Sequence, residues 1–330
     1  MAKFEPSKDV LSGDTADIYF QRTIDILGRE NRNPVTVMEV FPCRDGVLCG
    51  IEEVKALLQK VLPVSESGIL GLEEGATMRR KEVVLRIQAP YRSYGLYETA
   101  ICGMLSQSSG WASAARECVE AASGIPVVSF GARHVHPSVA GVMDYAAVTG
   151  GCQGCSTVIG AKLSGVQASG TMPHAFVLVM GDTVAAGLAF DKYMPPDVPR
   201  IVLVDTFKDE VEESLRVARA LGKKLTAVRL DTPRERGGVT PDLVKELRAK
   251  LDIEGFNHVG IFVSGGFDAA KIRLFVEQKV PVSGFGIGSY ITAAPPIDFT
   301  ADLHEVDGKP VAKRGRLPGI TPNLRLNRVM

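Results

Sequence analysis

Residues 200–251 read RIVLVDTFKDEVEESLRVARALGKKLTAVRLDTPRERGGVTPDLVKELRAKL. Two short apolar runs, RIVLVDT and LTAVRLD, each contain an aspartate near their end, and each is followed by an amphipathic stretch with helical spacing. Apolar runs that are bounded by turn residues and alternate with amphipathic helices predict strand–helix units around a parallel sheet. This stretch therefore predicts an α/β fold.

The same alternation continues on both sides of this stretch. Upstream, a long Ala-rich helix (96–122) precedes a predicted strand (127–130), and one helix later the apolar segment 156–159 is predicted as a further strand. Downstream, VGIFVSG (259–265) and SGFGIGS (283–289) are predicted as further strands. About six such units in succession predict a closed or partly closed β/α barrel.

The two ends of the chain have a different pattern. A helix is predicted after Ser12 and Asp14, strands in VTVMEVF, GVLCGI and EVVLRIQAPY, and a helix in IEEVKALLQKVL. The tail DLHEVDGKPVAK has Asp307-Gly308 at a predicted hairpin turn. We expect this hairpin to rejoin the N-terminal segment in a second, smaller α/β unit.

The composition is that of a globular protein without a strong overall charge. Of the 330 residues, 45% are hydrophobic and 23% are charged, and 38 basic residues balance 38 acidic ones. No nucleic-acid or membrane partner is expected, because no global field attracts such polyanions. The apolar runs are interrupted by Gly, Asp or Arg and the N-terminus lacks a signal core, so a cytoplasmic protein is expected.

The six cysteines are interpreted as reduced and mostly buried, as in cytosolic proteins. Cys152-Gln-Gly-Cys155 has the spacing of a metal or redox pair. No second Cys or His pair follows at the distance that a zinc site requires. We therefore interpret Cys152 and Cys155 as packing residues and expect no zinc.

Polar and glycine residues follow each predicted strand of the barrel. In β/α barrels the carboxyl ends of the strands meet on one face, where active sites lie. Cations, carboxylates and glycines at these ends suit a phosphorylated substrate held partly by a metal ion. The residues concerned are Phe130, Arg133, Ser156, Thr157, Lys162, Asp205, Arg229, Asp231, Ser264, Gly265, Gly266, Gly286, Gly288 and Ser289.

Two glycine loops, Ser264–Gly266 and Gly286–Ser289, follow the last two predicted strands. Loops at this place in a barrel often bind phosphate, because backbone N–H groups and a helix N-terminus point at it. Glycine also lets the backbone approach the phosphate oxygens closely. Each loop alone is equally explained by a tight turn, but the pair favours a phosphate site.

Two aspartates and one histidine are further candidates. Asp205 and Asp231 end neighbouring strands, where two carboxylates can hold Mg²⁺ indirectly or bind sugar hydroxyls. The alternative is helix capping, particularly at Asp231, which precedes Thr-Pro. His174, in GTMPHAF, has an equally ordinary alternative as a polar residue near a helix start.

Several of these motifs occur in an order that resembles the nicotinate phosphoribosyltransferase family. The resemblance covers about residues 12–295 and is greatest with the short members of that family. The resemblance implies the type II phosphoribosyltransferase fold, an irregular β/α barrel (96–299) plus an α/β sandwich built from both chain ends (1–95 with 300–330). The motifs that carry it are TADIYF from Thr15, YGLYETA from Tyr94, Phe130-Gly-Ala-Arg133, Ser156-Thr-Val158, Gly160-Ala-Lys162, Gly170-Thr-Met-Pro-His174, Arg229-Leu-Asp231, Ser264-Gly-Gly266 and Phe285-Gly-Ile-Gly288.

The resemblance implies a reaction and a set of residue roles. Nicotinate and 5-phosphoribosyl 1-diphosphate give nicotinate mononucleotide and pyrophosphate, with Mg²⁺ and often with ATP as co-substrate through a phosphohistidine. Homodimers or higher homo-oligomers with shared sites are expected, in which an aromatic ring from the neighbouring subunit covers the base. The implied roles are Phe130 and Tyr19 on the two pyridine faces, Arg133 and Ser156 at the substituent of the base, His174 as the phosphorylated residue, Arg229, Asp231 and Asp205 around diphosphate, ribose and metal, and the two glycine loops on the 5′-phosphate.

Two other interpretations stay open. Quinolinate phosphoribosyltransferase shares the fold and would need further cations for a dicarboxylate, which the N-terminal segment offers at Arg79, Arg80, Lys81, Arg86 and Arg92. A non-catalytic paralogue would keep the glycine loops as a phosphate or nucleotide sensor. The segment 232–238 also departs from the Ser-Gly-Asp that follows Arg-x-Asp in the longer relatives.

Overall fold

The computed structural model describes residues 4–63 and 67–329. The α-helices in chain order are α1 (Lys8–Ser12), α2 (Ile18–Arg29), α3 (Ile51–Val61), α4 (Tyr91–Tyr94), α5 (Glu98–Ala121), α6 (Pro137–Thr149), α7 (Val158–Ser164), α8 (His174–Met180), α9 (Thr183–Tyr193), α10 (Glu210–Leu221), α11 (Pro241–Ile253), α12 (Ala269–Glu277) and α13 (Ser289–Thr292). The strands are β1 (Val35–Pro42), β2 (Gly46–Val47), β3 (Gly68–Gly71), β4 (Thr77–Met78), β5 (Leu85–Pro90), β6 (Val127–Ser129), β7 (Gly154–Cys155), β8 (Ile201–Leu203), β9 (Ala227–Leu230), β10 (Gly260–Val263), β11 (Gly284–Ile287), β12 (Phe299–Val306), β13 (Lys309–Pro310) and β14 (Asn327–Arg328). Short 3₁₀ turns cover Gly95–Tyr97, Ala132–His134, Gly222–Lys224 and Arg234–Arg236.

The chain divides into two compact units, Met1–Ser113 with Ala294–Met330 and Ala114–Ala293. The first unit is built on an antiparallel sheet in the order β13-β12-β1-β5-β3-β14, with strands from both chain ends. Asp307 and Gly308 both have positive φ, 48° and 72°, as the two-residue type I′ turn of a hairpin requires. The prediction that the tail hairpin rejoins the N-terminal segment is confirmed.

The second unit contains the strand–helix series that the sequence predicts. Its six parallel strands lie in the order β7-β6-β11-β10-β9-β8 and form a curled, partly closed barrel. The last strand, β11, lies between β6 and β10, so the loops that follow β10 and β11 are neighbours. The predicted fold class, an irregular β/α barrel with a separate α/β unit from both ends, is confirmed.

Capping side chains fix where the helices of the second unit begin. The carboxylate of Asp209 accepts hydrogen bonds from the N–H groups of Val211 and Glu212 before α10. Asp268 does the same for Lys271 before α12. Such caps satisfy backbone donors that have no partner inside the helix. They fix the residue at which each helix begins after its strand-to-helix loop.

Three local predictions are wrong. Residues 156–159 do not form a strand, because Thr157 accepts a hydrogen bond from the N–H of Gly160 and caps α7 instead. The β-branched residues in this stretch favour a strand by propensity, and the cap overrides that preference. In GVLCGI only Gly46–Val47 is a strand, and Ser12 ends α1 while α2 begins after Asp17.

Within the described ranges, no single helix is long and apolar enough to cross a membrane. The pair α8 and α9, which is bent by 105°, is long and apolar enough only when the two helices are taken together. Cys152 and Cys155 are buried and form no disulfide. Burial, together with the charge of Asp144, raises the pKa of the Cys155 thiol to about 11. A thiol with such a pKa is a poor nucleophile at neutral pH.

Candidate active site

A cavity of about 550 Å³ opens at the carboxyl ends of the parallel strands of the second unit. Its volume is in the range of pockets that bind small molecules. The structure thus brings together residues from five strand ends, as the barrel prediction requires. The predicted site residues that line the cavity are Phe130, Arg133, Ser156, Thr157, Arg229, Asp231, Ser264, Gly265, Gly266, Gly286, Gly288 and Ser289.

Four predicted site residues do not line this cavity. His174 begins α8 directly after the lining segment 169–173, and its Nε2 lies 3.1 Å from Oδ1 of Asp205. Lys162 is exposed on α7, one turn beyond the loop that lines the cavity. Tyr19 is exposed on α2 in the first unit, where its hydroxyl donates to Asp17. The roles assigned to these side chains stay predictions.

Arg229 organises the polar side of the cavity. Its Nε donates to Oγ of Ser264 (2.9 Å), its Nη1 donates to Oγ1 of Thr171 (3.0 Å), and its Nη2 lies 3.2 Å from Oδ2 of Asp231. Burial lowers the pKa of Arg229, the charges of Asp231 and Asp205 oppose that shift, and the charge of Arg133 adds to it. Arg229 is therefore a cation already paired with a carboxylate before any ligand binds.

Asp205 is held below the cavity surface, with only 1% of its side chain exposed. Its Oδ1 contacts His174, and its Oδ2 accepts a hydrogen bond from the N–H of Asp231 (3.0 Å). Burial raises the pKa of Asp205, and the charge of His174 lowers it. Both carboxylate oxygens are thus engaged in fixing the neighbouring residues in place.

A preformed metal centre is absent from the described residues, since no three His, Cys, Asp or Glu side chains cluster to hold an ion. Mg²⁺ in nucleotide and phosphate sites is often held by one or two carboxylates together with substrate phosphates. The donor set here fits that arrangement, with Asp231 as the carboxylate that reaches the cavity. The indirect metal role predicted for Asp205 stays a prediction.

Phe130 forms the apolar wall of the cavity. Its ring lies 5.9 Å from the ring of Phe262, and the guanidinium carbon of Arg229 lies 5.1 Å from its centroid. A β-carbon added to Gly286 would lie 2.4 Å from this ring, so glycine there makes room for the aromatic side chain. The half-buried ring suits stacking with a planar aromatic ligand.

Asp144 holds the loop at the cavity edge, and the sequence analysis missed it. It is fully buried on α6, where its Oδ2 accepts hydrogen bonds from the N–H (2.9 Å) and the hydroxyl (2.7 Å) of Thr157. Its Oδ1 accepts a hydrogen bond from the hydroxyl of Ser129 (3.0 Å). The available signal was a single acid in the otherwise apolar helix PSVAGVMDYAAVT, because a buried acid requires partners.

Two family models match consecutive parts of the chain. Residues 17–109 match the quinolinate phosphoribosyl transferase N-terminal domain, and residues 111–302, more than half of the chain, match the C-terminal domain. The chain belongs to the quinolinate phosphoribosyltransferase family of type II phosphoribosyltransferases. The predicted resemblance to type II phosphoribosyltransferases is thereby confirmed.

This type II family member is similar to curated and solved relatives. It is 33% identical over 241 residues to nicotinate phosphoribosyltransferase pncB2 of Mycobacterium tuberculosis, covering 71% of this chain and 51% of that protein. It is 30% identical to nicotinate phosphoribosyltransferase pncB1 of the same organism over 253 residues, covering 74% and 55%. The chain thus spans about half the length of the curated relatives it matches.

A solved structure is similar over nearly the whole chain. The nicotinate-nucleotide pyrophosphorylase of Pyrococcus furiosus is 45% identical, with a TM-score of 0.88, covering 96% of this chain and 81% of that one. Human nicotinic acid phosphoribosyltransferase has a TM-score of 0.74 at 19% identity, covering 92% and 77%. At that identity the human enzyme supports the fold alone.

Proposed function

We propose that the chain is a nicotinate phosphoribosyltransferase, which joins nicotinate to 5-phosphoribosyl 1-diphosphate and gives nicotinate mononucleotide and pyrophosphate in NAD synthesis. The proposal rests on the basic side chains that line the cavity. Among its described lining residues the cavity has two arginines, Arg133 and Arg229, and no lysine. Arg229 is paired with Asp231. The exposed Arg133 forms no ion pair among the described residues. One unpaired cation matches a base with one carboxylate.

The proposed reaction requires the protein to hold the leaving group and align the nucleophile, but not to supply a strong base. Displacing pyrophosphate from the anomeric carbon builds positive charge there, so the leaving group must be held and the nucleophile aligned. The pyridine nitrogen carries no proton at neutral pH, so no strong general base is needed. Phe130 and Arg133 would orient the base, and Arg229 would hold the diphosphate side while Asp231 faces the ribose. Bound Mg²⁺ would neutralise charge on the diphosphate.

Ser156 supports nicotinate over nicotinamide. The residue is exposed at the cavity edge, directly before the capping residue Thr157. Nicotinamide-using relatives carry Asp at the matching position, where a carboxylate accepts from an amide and repels a carboxylate ligand. A serine hydroxyl can donate to either substituent, so it leaves nicotinate acceptable.

We extend the proposal to ATP coupling through His174. Its side chain is 40% exposed, and Asp205 orients the imidazole through Nε2. We expect His174→Ala to abolish stimulation by ATP while leaving slow basal transfer, measured as pyrophosphate release with and without ATP. Unchanged ATP dependence in the variant would rule out the phosphohistidine role.

Quinolinate phosphoribosyltransferase is the second candidate. The matched family models and the 45% identical Pyrococcus furiosus protein favour it by name. A dicarboxylate needs a second free cation. Arg86 is engaged with Glu39 (2.7 Å) and with the carbonyl of Thr321. The other cations considered for that role form no ion pair among the described residues, namely Arg79, Arg80, Lys81 and Arg92. Release of CO₂ together with pyrophosphate would identify this reaction.

The deciding experiment measures pyrophosphate release from 5-phosphoribosyl 1-diphosphate and Mg²⁺ with nicotinate, nicotinamide or quinolinate, each with and without ATP. Turnover with nicotinate and none with the other two bases is the expected result. Turnover with quinolinate and equimolar CO₂ would replace the proposal by the second candidate. No turnover with any of the three bases would refute both.

A further inference from the structure

The loop after β10 presents free backbone donors to the cavity. Gly265 and Gly266 have φ of 85° and 69°, a region that residues with a side chain seldom adopt. The N–H groups of Gly265, Gly266 and Phe267 donate to no acceptor among residues 4–63 and 67–329. Successive unpaired N–H groups in such a loop form a concave site for an anion.

Two cations lie beside this loop although neither lines the cavity. A β-carbon added to Gly266 would lie 3.2 Å from Nη2 of Arg234, and Nζ of Lys271 lies 4.2 Å from the centroid of the Phe267 ring. In the part of the chain that the structure describes, neither cation forms an ion pair. Burial lowers the pKa of Lys271, and the charge of Arg234 lowers it further. Like charges held this close favour the binding of an anion.

The carboxylates near the loop do not cancel these cations. Asp231 lies next to Gly265, but its Oδ2 is paired with Arg229 and its Oδ1 accepts from Ser264. The charge of Asp268 raises the pKa of Lys271. The Oδ1 of Asp268 also accepts a hydrogen bond from the backbone N–H of Lys271 (2.7 Å). Asp268 keeps its negative charge, but Arg234 and Lys271 exceed it by one charge, so the region around the free N–H groups is net positive.

The turn that carries Arg234 is held in place by the buried Thr232, whose hydroxyl donates to the carboxylate of Glu210 (2.9 Å). Arg236, in contrast, is exposed and makes only long ion pairs with Asp209 (3.8 Å) and Glu210 (3.6 Å) in the described part of the chain. Arg236 therefore lies near the start of α10, whereas Arg234 extends to the glycine loop. Two arginines of one turn thus have different partners, which provides a matched pair for experiment.

We propose that Arg234, supported by Lys271, is a substrate-binding residue that holds the 5′-phosphate of 5-phosphoribosyl 1-diphosphate against the loop Gly265–Phe267. The inference rests on the proposed function and adds to it a side-chain clamp for the phosphate. The planar guanidinium can donate two hydrogen bonds to a phosphate while the loop supplies backbone donors. This role gives the segment 232–238, which departs from the longer relatives, a function.

The test compares Arg234→Gln, Arg234→Lys and the control Arg236→Gln with the unchanged protein. Binding of ribose 5-phosphate and, separately, of pyrophosphate is measured by calorimetry without any pyridine base. We expect Arg234→Gln to weaken ribose 5-phosphate binding by about tenfold or more, as loss of a charged hydrogen bond should. Arg234→Lys should recover part of the affinity, and Arg236→Gln should change it less than about twofold.

The kinetic readout separates binding from structural damage. In Arg234→Gln the KM for 5-phosphoribosyl 1-diphosphate should rise about as much as the dissociation constant of ribose 5-phosphate, with little change in kcat. Equal ribose 5-phosphate affinity in Arg234→Gln and the unchanged protein, or a loss confined to pyrophosphate, would overturn the assignment. An Arg234-dependent affinity without turnover on any base would support the phosphate clamp while refuting the proposed function.

Discussion

Asp144 shows how one buried side chain shapes the edge of a binding cavity. Its two oxygens accept three hydrogen bonds from Ser129 and Thr157, which join the end of β6 to the loop after β7. Burial raises the pKa of Asp144, and the hydrogen bonds from Thr157 and Ser129 lower it. The carboxylate of Asp144 does not line the cavity, so Asp144 is a positioning residue for Ser156 and Thr157.

Replacing Asp144 should affect the base more than the sugar phosphate. We expect Asp144→Ala to lower stability by about 1–3 kcal/mol, because it leaves buried donors without an acceptor. In the folded fraction the KM for nicotinate should rise about tenfold, whereas the KM for 5-phosphoribosyl 1-diphosphate should change less. Steady-state kinetics with both substrates and thermal unfolding measure these effects.

Asp144→Asn and Ser129→Ala serve as controls for this prediction. The amide keeps one acceptor for Thr157 and can donate to the hydroxyl of Ser129, so it should restore most of the affinity. Ser129→Ala removes a donor and leaves the contacts with Thr157, so a small effect is expected. A folded Asp144→Ala protein with an unchanged KM for nicotinate would contradict the positioning role.

The strand β11 pairs with two neighbouring strands and must also leave room for the ring of Phe130 at position 286. The strand pairs in parallel with β10 and β6, and it passes beneath the ring of Phe130. Glycine at 286 is required there because a β-carbon would lie 2.4 Å from that ring. Contacts below 3 Å between carbon atoms force one of the groups to move, and the ring at the cavity edge moves more easily than the sheet.

Gly286→Ala should therefore displace Phe130 without unfolding the sheet. We expect the KM for nicotinate to rise by about tenfold or more, because stacking on the ring is lost. Gly170→Ala is the matched control, since Gly170 also lines the cavity but has nothing within 4 Å of an added β-carbon. Equal effects of the two substitutions on KM would show that the contact with Phe130 is unimportant.

At the scale of the whole molecule, the first unit contains carboxyl groups whose burial makes stability depend on pH. Glu74 accepts hydrogen bonds from the N–H groups of Gly50 (2.7 Å) and Glu52 (2.8 Å) at the start of α3. Burial, together with the charge of Glu74, raises the pKa of Glu53 to about 7. Burial also raises the pKa of Glu98 to about 7, as does the charge of Asp302.

A carboxyl group whose pKa is higher in the folded than in the unfolded state stabilises the fold only while it is protonated. The contribution of Glu53 is present below its ordinary pKa of 4.5 and is lost as the pH rises through about 7. Glu53→Gln should therefore stabilise the protein at pH 8 and have little effect at pH 5. The gain has an upper limit of about 3 kcal/mol, which solvent contact will reduce.

Urea unfolding of Glu53→Gln at pH 5 and pH 8 measures this difference. The neighbouring Glu73 is exposed, so Glu73→Gln is the matched control and should alter stability little at either pH. A gain at pH 8 no larger than that at pH 5 would show that Glu53 is not protonated in the folded state near neutral pH.

The sequence was informative wherever local pattern and local chemistry agree. The strand ends at Phe130, Arg229, Asp231 and the two glycine loops could be predicted as one face, because parallel strands in a barrel end together. The placement of Asp205 behind Asp231 could not be predicted, since a strand-end carboxylate can point to the cavity or cap its neighbour. The segment 156–159 was misassigned because β-branched residues favour strands, whereas Thr157 caps α7 and is held by Asp144, 13 residues earlier in the chain.

Sequence patterns were sufficient to predict the α/β class, the parallel series, the return of the tail hairpin and most of the cavity residues. These features follow from periodicity and turn chemistry, which act between residues close in the chain. Tertiary structure alone decided that β11 lies between β6 and β10, that Asp144 holds Thr157 and that Arg234 lies beside Gly266. Such contacts join residues far apart in sequence, and their geometry depends on packing that no local pattern records.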